Sequence, residues 1–229
     1  MAIAHSSKEP ETEACPLVLP TPTMSHSADN RLYAIVVKRC VDVLVASIAL
    51  LVLTPLLILV ALAVRLDSPG PVFFRQTRIG RHNREFTIFK FRTMVDAGPE
   101  SFQLLKDDDG QWRHKIRHDP RITRIGRLLR RTSVDELPQF LNIVLGHMSL
   151  VGPRPELPQI VQRYEQWQHQ RHLVRPGLTG WWQVSGRSDR PMHEHIDLDL
   201  YYIEHLSIWL DLKIMLRTVK VVLRGLGAF

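Results

Sequence analysis

The sequence predicts a mainly helical protein with a small β-hairpin, an α+β architecture, held at a membrane by one apolar segment. Three observations carry that expectation. Residues 43–64 contain no formally charged side chain, and Thr54-Pro55 sits at the middle of them. Two short stretches, 71–76 and 85–92, have strand composition and flank Ile79-Gly-Arg-His-Asn-Arg84, whose composition is that of a turn. Basic and apolar residues recur at helical spacing over 121–130 and again over the last 25 residues.

The totals agree with such a protein. A chain of 229 residues, 45% hydrophobic, can form one sizeable domain with attachments. The formal net charge of +7 suits an anionic partner: nucleic acid, an anionic bilayer or phosphorylated substrates. Cys15 and Cys40 stand apart and form neither a disulfide framework nor a zinc site, which points to a reducing compartment. The first apolar run begins some forty residues in and no small-residue cleavage site follows it, so no signal peptide is expected.

Residues 1–30, rich in Ser, Thr, Pro and Glu, are expected to be a disordered tail. Residues 31–66 form the membrane segment. The 22 residues of the uncharged run are long enough, as a helix, to cross a hydrocarbon core of roughly 30 Å. Pro55 removes one backbone hydrogen bond and crowds the preceding turn, so a kink or break is expected there, with the Thr54 hydroxyl able to serve a freed carbonyl. Arg31, Lys38 and Arg39 precede the run, and Arg65, Arg75, Arg78, Arg81 and Arg84 follow it. Positive residues stay cytosolic, so two basic flanks fit a segment that enters and returns. A kinked helix that crosses once is the competing reading, and these residues do not decide between them.

Residues 67–229 follow as a cytosolic domain. Asp67-Ser-Pro-Gly-Pro71 is a turn-rich linker. In the second strand Lys90 and Arg92 share one face and Phe89 and Phe91 the other, so the aromatic face is expected inward and the charged face outward. A helix is expected from Asp119-Pro120, carrying Arg121, Arg124, Arg127 and Arg130 as a stripe. Another is expected from Ser133 to Leu145, stopped by Gly146. In the last segment Lys213, Arg217, Lys220 and Arg224 run beside Leu212, Leu216, Val219 and Leu223. Such a helix can lie in a membrane interface, or pack its apolar row on the core.

The chemistry concentrates around Asp135-Glu136. Neighbouring carboxylates on a helix point about 100° apart, so they suit two jobs on one ligand, such as attack and Mg²⁺ coordination. Ser133-Val-Asp-Glu136 also fits a capping box, in which Glu136 merely closes a helix start. Val151-Gly-Pro-Arg-Pro155 is a stiff loop that aims Arg154, whose planar fork suits phosphate. Arg175-Pro-Gly-Leu-Thr-Gly180 and Gln183-Val-Ser-Gly-Arg187 are two more Gly-containing turns with donors. His169-x-x-His172 and His193-x-His195 lack a third ligand at matching spacing and read as surface or core histidines.

These motifs, together with Lys38-Arg-Cys-Val-Asp42, Asp67-Ser-Pro-Gly-Pro-Val-Phe-Phe-Arg-Gln76, Phe89-Lys-Phe-Arg-Thr-Met94, Asp135-Glu-Leu-Pro-Gln139 and Met148-Ser-Leu-Val-Gly-Pro-Arg-Pro155, strongly resemble the bacterial sugar transferase family, the monotopic phosphoglycosyl transferases. The resemblance covers about 36–229 and is greatest to the small exopolysaccharide-initiating hexose-1-phosphate transferases. It implies transfer of a sugar-1-phosphate from a UDP-sugar to undecaprenyl phosphate, with release of UMP and a requirement for Mg²⁺. Asp135 is implied as the nucleophile of a covalent phosphosugar intermediate, and Glu136 as a partner in holding Mg²⁺. Lys90, Arg130 and Arg154 match the family's basic residues around the phosphates. Pro55 matches the proline of a re-entrant helix-break-helix, with Thr54 where the family usually has Ser. The implied setting is the cytoplasmic face of a bacterial inner membrane, among its lipids and with amphipathic helices in the interface. A homo-oligomer is left open. The sugar is not named by the sequence. A membrane-anchored, non-catalytic scaffold of a polysaccharide assembly complex is the alternative, against which the joint presence of the five site residues argues. No nucleic-acid partner is expected, because no base-stacking pattern accompanies the arginines.

Overall fold

The computed structural model describes residues 36–95, 105–106, 112–113, 119–185 and 195–223. The tail over 1–30, most of 97–118, Arg187, His193 and Arg224 therefore lie outside the described residues. Within them the molecule is mainly helical with small paired strands.

Helix α1 (Lys38–Asp67) is, among the described residues, the one helix long and apolar enough to cross a membrane. Its 30 residues correspond to a length of about 45 Å. Helical residues continue on both sides of Pro55, so of the expected kink or break the break does not occur. The Thr54 hydroxyl does bond a carbonyl, but it donates to Leu50 at 2.6 Å. The carbonyl that Pro55 strips of its partner is that of Leu51, four residues back.

The ends and the middle of α1 differ sharply. Near the start, Lys38 pairs with Asp211 at 2.5 Å, and Arg39 donates to the Ile143 and Val144 carbonyls at 2.6 and 3.0 Å. The Asp42 carboxylate accepts from the Leu150 amide at 3.0 Å, and Ala46 lies in the main core. Near the finish, Val60 and Val64 pack with Phe91 and Leu129. Arg92 closes this end by donating to the carbonyls of Ser68, at 2.7 Å, and Pro69. Between these anchorages Leu51 and Val52 are 77% and 68% exposed.

Strands β1 (Phe73–Ile79) and β2 (Glu85–Phe91) form the expected antiparallel hairpin, in register from Phe73↔Phe91 to Ile79↔Glu85. Its turn holds His82 and Asn83 at φ 57° and 58°, a left-handed conformation that Asn and His tolerate better than most residues. Phe91 is buried as expected, but the charged face is not outward. Phe86, Ile88 and Arg92 are buried on the face that carries Lys90, whereas Phe89 is only half-buried beneath Arg75. The basic residues point inward because carboxylate and carbonyl acceptors wait there.

Strands β3 (Leu105–Lys106) and β4 (Trp112–Arg113) form a short antiparallel pair. Helix α2 (Arg124–Thr132) starts later than expected, because Thr123 is its cap, accepting from the Gly126 amide at 2.9 Å. Asp119 instead binds Arg121 side chain to side chain at 2.6 Å, which takes Arg121 out of the helical stripe. The helix expected over Ser133–Leu145 is divided into a 3₁₀ turn, Val134–Glu136, and α3 (Gln139–Val144), with Pro138 between. Gly146 stops it as expected, at φ 88°.

Strands β5 (Ser149–Val151) and β6 (Gly177–Thr179) pair in parallel, which the sequence did not announce. Helix α4 (Pro158–Val161) and a 3₁₀ segment, Gln166–Leu173, lie between them in the chain. Helices α5 (Trp181–Val184), α6 (Ile196–Glu204) and α7 (Ile208–Leu223) complete the described fold. The main core joins Phe86, Ile88, Ile143, Met148, Val151, Tyr202 and Ile214. Truncating a fully buried side chain such as Ile143 to alanine would cost about 2–5 kcal/mol.

Helix α7 has three faces. Asp211 and Ile214 are buried; Lys213, Arg217 and Lys220 are exposed; Leu212, Leu216 and Val219 are also exposed, beside Trp209. The apolar row seen in the sequence is therefore not the row that packs on the core. Lys213 and Arg217 sit 5.5 and 5.1 Å from the Trp181 ring centre.

Candidate active site

The site begins with a change of direction at the end of α2. Ser133 takes a left-handed conformation, φ 58°, and the chain tightens into the Val134–Glu136 turn. The capping-box reading fails here. Ser133 makes no side-chain cap, and the Glu136 carboxylate turns instead to two cations. Lys90 Nζ approaches Glu136 Oε1 at 2.7 Å from β2, and Arg154 Nη2 approaches the same oxygen at 2.7 Å from the loop after β5. Arg154 Nη1 lies 3.4 Å from Oε2. Asp135, next in the chain, is buried, yet no group among the described residues hydrogen-bonds its carboxylate. Arg130, one helical turn back, donates from Nε to the Thr93 hydroxyl at 2.9 Å.

The two carboxylates are thus set apart electrostatically. Burial would raise the Glu136 pKa, but Arg154 and Lys90, by charge and hydrogen bond, hold it well below the usual carboxylate range. Burial, and then the negative charge of Glu136, push Asp135 the other way, only partly offset by Lys90, Arg130 and Arg154. Burial lowers the Lys90 and Arg130 values against the pull of the carboxylates, while the Glu136 charge raises that of Arg154. One acid is neutralised in place; its neighbour keeps open lone pairs among three cations.

The Arg154 loop is gripped along its backbone. The carbonyl of Pro153 accepts from the Gly177 amide at 2.8 Å, that of Arg154 from Arg171 at 2.8 Å, and that of Glu156 from the Ile79 amide at 2.9 Å. Arg78 Nη1 lies 3.4 Å from the Pro155 carbonyl and 3.7 Å from the Glu156 carboxylate. Burial lowers the Arg78 pKa to about 10. Arg171 is itself fully buried and pairs with Asp199 at 2.6 Å.

The donor set suits a hard divalent cation. Among the described residues Asp135 offers a carboxylate without a hydrogen-bond donor, and Glu136 Oε2 has one long contact. Both are oxygen ligands of the kind Mg²⁺ takes together with substrate phosphates. No cluster of three or more His, Cys, Asp or Glu with metal-holding geometry occurs among the described residues, so bound phosphate and water oxygens would complete the shell.

Of the residues singled out in the sequence, Lys90, Glu136 and Arg154 meet in one ion cluster, Asp135 adjoins it, and Arg130 lies within reach of the Asp135 charge. Thr54 and Pro55 are in the exposed middle of α1 and bond none of these five. His169 and His172 both approach the Asn83 side-chain oxygen, at 3.2 and 2.5 Å, and serve the hairpin turn. Burial drives the His172 pKa down to about 3. Thr93, Arg78, Arg171 and Asp199 escaped the reading from sequence. Thr93 and Arg78 fall inside the motifs Phe89–Met94 and Asp67–Gln76 or next to them, whereas nothing local marks Asp199.

The fold thus combines an acid pair beside three basic side chains with one helix long and apolar enough to cross a membrane. The model of the family described as bacterial sugar transferase matches residues 33–225. An uncharacterized sugar transferase of Bacillus subtilis, EpsL, is 44% identical over 193 residues, covering 84% of this chain and 90% of that protein. The exopolysaccharide production protein ExoY of Rhizobium meliloti is 40% identical over 198 residues, covering 84% and 88%. The UDP-glucose:undecaprenyl-phosphate glucose-1-phosphate transferase of Escherichia coli is 40% identical over 225 residues, covering 95% of this chain but 45% of that protein. The chain spans less than half the length of several such relatives. It belongs to the bacterial sugar transferase family.

Proposed function

We propose that the protein transfers a hexose-1-phosphate from a UDP-sugar to undecaprenyl phosphate and releases UMP, the first membrane step of exopolysaccharide or related glycan synthesis. The observation that carries this reading is the division of labour between adjacent carboxylates. Glu136 is held ionised by Lys90 and Arg154, while Asp135 has no hydrogen-bond donor among the described residues and is free to attack.

In the first step an Asp135 carboxylate oxygen forms a bond to the sugar-bearing phosphorus. The bond from that phosphorus to the bridging oxygen breaks, and UMP leaves with the oxygen. In the second step an oxygen of undecaprenyl phosphate attacks the same phosphorus, and the aspartyl carboxylate departs with its electron pair. Lys90, Arg130 and Arg154 face the charge on the transferring group, and fixed cations in a dry site act strongly on such charge. Asp135 and Glu136 Oε2 would hold Mg²⁺, which neutralises diphosphate charge when bound. Glu136 also fixes Lys90 and Arg154 against each other.

The reading extends to the membrane. Both ends of α1 pack on the same body of protein, and both flanks are basic. Between and beside those packed positions the helix offers bare Leu, Ile and Val, from Leu44 through Leu51 and Val52 to Leu62 and Leu66. That pattern favours a segment that dips into the cytoplasmic leaflet of the inner membrane and returns, with the exposed apolar row of α7 in the interface. On this reading the acceptor phosphate lies at that interface, where a lipid and a soluble nucleotide could meet at one carboxylate.

The test is UMP release by the purified protein given undecaprenyl phosphate, Mg²⁺ and a panel of UDP-sugars. One or more UDP-hexoses should support release, and a radiolabelled sugar phosphate should be trapped on the protein when the lipid is omitted. A folded protein that releases no UMP from any donor would sink the transferase reading.

A further inference from the structure

We propose that Arg171, with Asp199 as its counter-ion, is a positioning residue for Arg154 in the phosphate-handling site; this rests on the transferase reading above. Arg171 touches no reacting group. It lies in the 3₁₀ segment Gln166–Leu173, has no exposed side-chain surface, and divides its guanidinium among several acceptors. Nη1 donates to the Tyr164 hydroxyl at 2.7 Å; Nη2 donates to the Asp199 carboxylate at 2.6 Å and to the Arg154 backbone carbonyl at 2.8 Å. The Arg154 side chain in turn reaches Glu136 at 2.7 Å. Asp199 on α6 is thus linked through one guanidinium and one peptide to the turn that carries Asp135.

Two arguments separate this from packing. A buried ion pair is poor value as a pure stabiliser, because well-packed apolar residues of similar volume often do as well or better. A pair retained in the interior, with a donor spent on the backbone of a site residue, needs another reason. The surroundings supply one. The neighbouring carbonyls of Pro153 and Glu156 are held by backbone amides of β6 and β1, but at Arg154 the structure uses a side chain. A planar fork can satisfy Asp199, Tyr164 and that carbonyl together, which the single ammonium of lysine does with much poorer geometry.

The experiment is a double-mutant cycle on the full-length protein in detergent, read by UMP release, using Arg171→Lys, Arg154→Ala and the pair. Misplacement of a site group by about 1 Å can lower rate about 100-fold. Arg171→Lys is therefore expected to lower kcat by roughly 10- to 100-fold with donor KM within about two-fold. In the Arg154→Ala background the same change should have almost no further effect. Tyr164→Phe, which leaves the carbonyl contact in place, should behave as the unsubstituted protein does. An equal loss in both backgrounds overturns the proposal, as does a loss confined to KM. If Arg171→Lys fails to fold by circular dichroism, Asp199→Glu replaces it in the cycle, keeping the charge but moving it by one methylene. If the unsubstituted protein releases no UMP, the transferase reading has failed, and amide hydrogen exchange decides the positioning claim alone. Arg171→Lys should then speed exchange at residues 152–156 without speeding it in β1 and β2, and a uniform increase overturns it.

Discussion

Glu136, partly buried, and Asp211, buried, each take a lysine from a distant element, yet their surroundings differ. Around Asp211 the polar groups close on one another. Lys38 meets one oxygen at 2.5 Å and the Tyr202 hydroxyl the other at 2.8 Å, while Tyr202 also reaches the Val151 carbonyl at 3.1 Å. This centre joins α1, α6, α7 and β5 and works as a staple. Around Glu136 the closure stops one residue short. Glu136 Oε1 takes both Lys90 and Arg154, but the Asp135 carboxylate beside it receives no hydrogen bond among the described residues. Leaving a buried carboxylate without donors is costly. The difference teaches where the proposed chemistry would sit: at the carboxylate that the ion pairs leave without a donor among the described residues, not at the one they hold.

The largest effect expected from breaking this contrast is at Asp135. Asp135→Asn keeps size and removes the nucleophile, and should lower UMP release by more than about 10³-fold and abolish covalent labelling. The thermal midpoint should hold or rise, since a buried charge without donors is removed. Substantial turnover in this variant would remove Asp135 as nucleophile. Glu136→Gln should come next, lowering turnover by roughly 10²-fold, as loss of one electrostatic contributor does. It should also lower the thermal midpoint, because Lys90 and Arg154 then face each other uncompensated. An unchanged midpoint would show that Glu136 is not what holds the two cations.

Lys38→Met tests the staple. Breaking a buried pair from one side costs about 3–5 kcal/mol. The thermal midpoint in detergent should fall clearly, while kcat per folded molecule stays within about two-fold, a loss that surface substitutions do not produce. A kcat loss matching that of Glu136→Gln would mean the two centres are one network.

How far the sequence announced these centres follows from what each depends on. Arg154 was legible because Pro on both sides and a preceding Gly mark a stiff loop locally. Asp135-Glu136 was legible as a pair, but its local pattern fitted a helix cap equally well. Only the arrival of Lys90 and Arg154, 46 and 18 residues away, shows that Glu136 does not close a helix start. In β2 alternation correctly puts Phe91 inside, but it does not tell that the charged face is covered as well. Lys90 and Arg92 are inside because their acceptors, Glu136 and the carbonyls that end α1, are supplied by other elements. The staple was invisible for the same reason: Lys38 and Asp211 are 173 residues apart. Helix type, by contrast, is written in local composition, and α1, α7 and the hairpin were readable from it.

The smallest effect is expected at Pro55, and its smallness is informative. A proline inside a helix costs about 3 kcal/mol, so Pro55→Ala should favour a straighter α1. Straightening alone would send one end across the bilayer. For Lys38 to leave, however, the molecule must give up the Asp211 pair, both Arg39 bonds and the Asp42–Leu150 bond. The buried pair alone is comparable in strength to the proline penalty. The anchored ends should therefore win, and topology should not change in Pro55→Ala. Cys40, exposed at the start of α1, is a native reporter once Cys15 is replaced by Ser. In intact spheroplasts an impermeant maleimide should leave Cys40 unmodified in Pro55→Ala and label a fraction of it in Pro55→Ala combined with Lys38→Met. Labelling from outside in the single variant would reverse the conclusion, making the proline, rather than the staple around Asp211, the element that returns the segment to the side it entered from.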